Sequence, residues 1–453
     1  LGPAVPSARA QCTCSVFETQ VLLPGDLAQA DRFGSAAAMD GGVLVLGAPF
    51  ENGKFGAAYV FRWNGAGWSE EQKLAASDGA FLQEFGQTVA VDGNVAVIGS
   101  PGENCQEAAY VFRFDGSAWV EEQKLTPSAA SFCNRYGWAV AVSGDVVVVG
   151  AERDDVPGGT SEAGSAFVYR FDGTQWNEEQ KLVSSNIAVE DRFGHSAAVE
   201  GDRLLIGAPR RIRSGATTSG SVYAFRKTPG GWVEEQEIAA SDAFPSNGFG
   251  EALALDGDTL AVAAMAHFVP GAAYVYTHDG TAWAGEQKAT ASDGKLSNEF
   301  GASIALSGSR LAVGARDDAG QGTASGAAYL FERAGGAWSQ SRKLLTTDGV
   351  NGNRFGGAAA LEGDRLVVGS DRHDIVGSDS GAAFVYDLSA LPACPASYCT
   401  GKTNSLGCDA VVTAAGVASA TDTSGFTVTA TNIRNFKSGL LLYNTIQAAP
   451  ARF

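Results

Sequence analysis

Seven aromatic-glycine pairs recur along the chain: Phe33-Gly34, Phe85-Gly86, Tyr136-Gly137, Phe193-Gly194, Phe249-Gly250, Phe300-Gly301 and Phe355-Gly356. Their spacings of 52, 51, 57, 56, 51 and 55 residues are the period of a propeller or a solenoid, in which one supersecondary unit is copied until the copies bury each other. The position four residues after each of these glycines is always Ala, and a tight turn, an apolar run and a stop such as Gly207-Ala208-Pro209 follow.

One unit shows what each copy builds. Phe85 to Val91 is an apolar run, Asp92-Gly93-Asn94 is a hairpin turn and Val95 to Ile98 returns. Ala108 to Phe114 alternates as a third strand, and Asp115-Gly116-Ser117 turns it into a fourth, Trp119 to Leu125. The 58 glycines and two methionines of the 453 residues suit short strands and tight turns. Four antiparallel strands repeated seven times predict an all-β fold, a seven-bladed β-propeller. The last unit has only three strands, to Leu388, whereas Val16 to Leu22 precedes Phe33 as Trp68 to Leu74 precedes Phe85. The N-terminal strand is therefore expected to complete the seventh blade and close the ring, which removes exposed sheet edges.

On these residues the chain resembles the FG-GAP repeat proteins, the propeller family of the integrin alpha-subunit head and of many secreted bacterial proteins, over about residues 16 to 388. Calcium-binding members carry an Asp-x-Asp-x-Asp-Gly loop between the first two strands, where calcium finds its several oxygen ligands. This chain has Asp40-Gly41-Gly42, Ser143-Gly144-Asp145 and Ser307-Gly308-Ser309 there, so the resemblance brings no metal site and no cofactor.

Three segments are expected: residues 1–10 as a signal-peptide remnant or disordered start, residues 11–390 as the propeller, and residues 391–453 as a small disulfide-containing β module, cut short. Ala8-Arg9-Ala10 has the small-x-small form of a secretory cleavage site. Phe426 to Thr431 alternates as a half-buried strand, and Tyr398 to Cys408 resembles the start of a C-terminal module of secreted bacterial proteins. Seven cysteines near termini and loops suit an oxidising compartment. Cys105 and Cys133 are expected to pair, Cys394 to bridge to Cys14 or Cys12 at the closure, and Cys399 to pair with Cys408. A formal charge of -18 argues against nucleic acid, and no apolar run reaches the roughly 18 residues of a membrane span.

The long connections, second-to-third and fourth-to-first strand, share one face of the ring, and loops on a rigid scaffold are where binding residues concentrate. The residues after each Phe-Gly vary, and Gln87, Trp138, His195 and Glu251, from consecutive blades, are candidates for a polar pocket at the channel mouth. Arg210, Arg211 and Arg213 form a basic spot suited to carboxylate or sulfate. Asp154, Asp155, Asp317 and Asp318 are the weak metal candidates, each pair preceded by an Arg that favours local ion pairs instead. Glu70-Glu71, Glu121-Glu122, Glu178-Glu179 and Glu234-Glu235 look catalytic, but a pair repeated at one strand position belongs to the scaffold. There is no nucleophile elbow, zinc helix or phosphate loop. The expectation is a secreted, non-enzymatic binding or adhesion protein for an extracellular glycan or protein; a polysaccharide-acting enzyme with a channel-mouth site, or a structural part of a surface protein or filament, are the alternatives.

Overall fold

The computed structural model describes residues 15–16, 18–129, 131–156, 161–212, 219–242, 247–265, 270–319, 322–389, 411–415 and 427–431. Residues 13–391 cluster as one compact unit. Six sheets follow the chain in order, each with four antiparallel strands from the innermost outward, as in Ala37–Asp40, Val43–Ala48, Ala57–Trp63 and Trp68–Leu74. Separately, Val411–Ala415 pairs antiparallel with Thr427–Thr431. Cys12, Cys14, Cys394, Cys399 and Cys408 lie outside the described residues.

The seventh sheet is assembled from both ends of the unit. Ala358–Glu362, Arg365–Ser370 and Ala382–Asp387 supply three strands, and Gln20–Leu22 pairs antiparallel with Ala383–Val385 as the fourth. The expected closure strand is thus shorter than Val16 to Leu22. Ser15–Val16 leaves that sheet and adds in parallel to Lys343–Leu344, as a fifth strand on the sixth blade.

Both faces of every blade are buried, so the second strands read as unbroken apolar runs: Val43 to Leu46 and Val146 to Val149 are at most 3% exposed. The repeated aromatic packs into this layer. Phe85 is fully buried, with its ring centroid 5.4 Å from Tyr110 and 6.0 Å from Phe112 of its own third strand. Its glycine neighbour has no alternative. Gly86 has φ +91°, and a Cβ there would lie 2.2 Å from the Ala57 carbonyl oxygen of the preceding blade.

Three sets of side chains link neighbouring blades, the first of them at all seven junctions. First, residues ending the innermost strands accept hydrogen bonds from the next blade's turn glycine: Asp40 from Gly93, Asp92 from Gly144, Ser143 from Gly201, Glu200 from Gly257, Asp256 from Gly308, Ser307 from Gly363, and Glu362 from Gly41. The last of these, at 2.9 Å, returns to the first blade and closes the circle. Second, the outer-strand glutamine is a two-point clamp on the next blade. Gln72 donates to the Trp119 carbonyl at 2.8 Å and accepts from its N–H at 2.7 Å, and Gln20, Gln123, Gln180 and Gln236 do the same to Trp68, Trp176, Trp232 and Trp283.

Third, the glutamate pairs divide their work. The second glutamate is the extra residue of a β-bulge, so Glu70 and Gln72 face consecutive partners Phe61 and Val60 while Glu71 has none. The first caps the loop of the preceding blade, as Glu121 does by accepting from Ser77 N and Oγ at 2.8 Å each. The second pairs across its own sheet, as Glu122 does with Arg113 at 2.7 and 2.9 Å. The expected scaffold role holds, but these groups bond blade to blade rather than only guarding an edge.

Candidate functional site

Short turns gather on one face of the ring and long connections on the other. The long-loop face is stiffened in the second blade by the Cys105–Cys133 disulfide, whose Cα atoms are 4.6 Å apart, well within the range a bridge requires.

Among the expected pocket residues, three meet. Trp138 Nε1 lies 3.2 Å from His195 Nδ1, and His195 Nε2 lies 3.4 Å from Glu251 Oε1. Gln87 is half-buried and donates its backbone N–H to Glu84 O at 3.2 Å; among the described residues its side chain is not bonded to the other three. The residue that organises the cluster is one the sequence reading missed, Glu152. It is fully buried, and its Oε2 lies 2.6 Å from His195 Nδ1. Its oxygens also meet Arg135 at 3.1 Å and Arg192 at 3.6 Å. A signal existed: Glu152 stands after Gly150-Ala151, where three other blades have Pro49, Pro101 and Pro209.

Electrostatics fix the protonation of this group. Burial by itself would raise the Glu152 carboxyl, but the hydrogen bond to His195 and the charges of His195, Arg192 and Arg135 hold it at about 2. Burial would lower His195, yet the Glu251 charge and the bond to Glu152 lift it to about 10. Burial also opposes the charge of Glu251, but His195 outweighs it and lowers the pKa. The imidazolium donates one N–H toward each carboxylate, so the Trp138 N–H finds no acceptor on Nδ1. His195 is a fixed cation tying three blades together, and neither carboxylate is poised to deliver a proton near neutrality.

Beside it opens a cavity of about 260 Å³, lined by Trp138, Arg135, Arg153, Glu84, Glu107 and the disulfide. The Arg135 guanidinium lies 4.6 Å over the Trp138 ring. Burial pushes both Glu84 and Glu107 up, against Lys54 for Glu84 and against the hydrogen bonds from the Arg135 and Asn134 backbone for Glu107.

The other candidates are largely engaged by the scaffold. Asp154 is fully buried and receives Ser131, Ser165 and, at 2.6 Å, Lys181. Asp318 receives Asn298, Tyr329 and, at 2.9 Å, Lys343. Asp155 accepts from Glu162 N and Asp317 lies 3.5 Å from Arg354. No three metal-ligating side chains converge among the described residues. Arg211 is paired with Asp191 at 3.0 Å, Arg210 is exposed, and Arg213 lies outside the described residues.

The long-loop face has one more periodic feature. Phe81, Phe132, Val189 and Leu296 each stand four residues before the repeated aromatic, and Val350 five before it. They are 59, 85, 51, 62 and 48% exposed. Five loop tips therefore offer an apolar side chain to solvent at equivalent places around the ring.

The FG-GAP repeat family profile matches residues 16–61, 68–112, 119–169, 176–225, 232–276, 283–331 and 338–386, one match per blade. No curated protein matches the chain.

Proposed function

The chain belongs to the FG-GAP repeat family, and we propose that it is a secreted, non-enzymatic binding or adhesion protein whose long-loop face takes up an extracellular protein or glycan. The observation that carries this reading is the ring of apolar loop tips, Phe81, Phe132, Val189, Leu296 and Val350. Removing such side chains from water against a partner surface favours association. The tips are spread around a whole face, which suits a protein surface; the cavity beside Trp138 suits a single sugar unit. A disulfide on the same face is in keeping with an oxidising compartment.

The enzymatic alternative has one observation in its favour: Glu84 and Glu107, raised by burial, line the same cavity. Extracellular-protein and glycan arrays probed with the whole chain test both. Any hit should weaken about tenfold with Phe132→Ser or Leu296→Ser, with unchanged melting and no product. Binding indifferent to both substitutions would sink the reading, and a product that disappears with Glu84→Gln or Glu107→Gln would replace it with a hydrolase or lyase.

A further inference from the structure

The closing junction lacks a contact that two other junctions of the ring make. Where the second blade meets the first, the Trp119 Nε1–H donates to Glu71 at 3.2 Å, and where the third meets the second, Trp176 donates to Glu122 at 2.9 Å. At the closing junction the clamp Gln20 aligns with Gln72, which puts Thr19 at the place of Glu71. Thr19 Oγ1 donates instead to the Val385 carbonyl at 3.1 Å. Trp68 is 4% exposed and its Nε1 has no partner. Trp232 Nε1 is also unpartnered, but there Lys227 draws Glu179 away and covers the indole at 5.7 Å.

A second absence widens this gap. In the other six blades a turn joins third to fourth strand, as Asn64 to Gly67 does in the first. The seventh blade takes its fourth strand from the N-terminal segment, so no turn joins its third strand to its fourth. The result is a cavity of about 1000 Å³ on the short-turn face, lined by Trp63, Trp68, Asn64, Glu362, Asp364 and Arg365 among others.

The lining has a definite chemistry. Trp63 and Trp68 meet edge to face at 5.6 Å, and the Arg365 guanidinium lies 5.4 Å from one ring and 5.8 Å from the other. Trp63 is not required by the repeat, since Phe114, Phe171, Lys227, His278 and Arg333 occupy its position elsewhere. Arg365 is held by Glu362 at 2.7 Å and Asp364 is paired with Arg310, so these charges compensate one another and give an anion no excess of positive charge. Aromatic surface beside amide and carboxylate acceptors suits a ligand with an apolar ring face and hydroxyl edges, and the volume is that of a small-ligand site.

We propose that the seam between the seventh and first blades is a second binding site, on the face opposite the loop tips, for a neutral saccharide. The whole chain titrated with neutral cello-, malto-, xylo- and chito-oligosaccharides, and with oligogalacturonate as the anionic comparison, tests this by calorimetry and tryptophan fluorescence. At least one neutral series should bind, and Trp63→Ala should weaken it about tenfold. Thr19→Glu should return an acceptor to Trp68, raise the melting temperature and weaken binding together. Phe132→Ser should leave saccharide binding at the seam unchanged, which separates this site from the long-loop face. No binding by any neutral series at millimolar concentration would overturn the site. Preference for oligogalacturonate, or binding unchanged in Trp63→Ala, would overturn it as well.

Discussion

Deleting residues 11–24 should cost the propeller much of its stability, because that segment supplies the only outer strand of the seventh blade. Leu22 is 2% exposed and packs against Leu44, Val367 and Val385; losing such a side chain costs about 2–5 kcal/mol. The Gln20 clamp contributes two hydrogen bonds to Trp68, together about 1–3 kcal/mol. Glu18 caps Thr347 of the sixth blade's loop, a surface contact of little further weight. The loss is therefore about 6 kcal/mol, a large share of the usual stability of a native domain. For the unit spanning residues 13–391, an unfolding entropy of about 2.1 cal/mol/K per residue turns this into a fall of about 7 °C in Tm. The exposed Ala383–Val385 edge should also promote aggregation. Scanning calorimetry on the deletion and on Gln123→Ala makes the test specific, since the latter removes one interior clamp and should lower Tm by only about 1–4 °C. A deletion variant that melts with the parent, or no lower than Gln123→Ala, would refute ring closure by this strand.

Calcium should leave the propeller's Tm where a chelator leaves it, because Asp154 and Asp318 already hold Lys181 and Lys343; a difference of several degrees would contradict this. Cys105→Ser should lower Tm by about 4 °C, since a bridge across a separation of 28 residues contributes about 3–4 kcal/mol in the chain-entropy account; an unchanged melt in non-reducing buffer would argue against it. The His195 cluster should confer a defined pH dependence. His195 is raised from 6.5 to about 10, so its contribution is complete below 6.5 and is lost as pH rises toward 10. Glu152 is lowered from 4.5 to about 2, so its contribution is present above 4.5 and is lost as pH falls toward 2. His195 ring nitrogens followed by NMR should therefore remain in the imidazolium form through neutrality, and titration between pH 6 and 7 would show the reasoning wrong.

The repeat made most of the fold legible before any coordinates. An aromatic before a glycine, a tight turn and an apolar run in seven copies leave one way to bury both faces of each sheet, and the three-stranded last copy identifies the strand that must close the ring. The Cys105–Cys133 pair was legible for a similar reason, as two cysteines in one blade's long loops that recur in no other copy. Trp138, His195 and Glu251 were recognisable because they vary where the scaffold does not. Glu152 was not recognised, although it replaces a proline, because its meaning depends on the ring of the next blade lying 2.6 Å away. The bulge that gives consecutive glutamates separate partners, the glutamine clamps and the seam cavity also escaped notice. The clamps join residues about one repeat apart and the cavity joins opposite ends of the repeat array, at distances set by how two twisted sheets pack, while the bulge is a local irregularity of strand pairing. The sequence by itself determined the number of blades, their internal order and the closing strand, because periodicity and turn chemistry are local along the chain. Only the tertiary structure decided which charges neutralise one another and where a cavity lies at the closing seam, because Thr19 and Trp68 become neighbours only once the first and last blades meet.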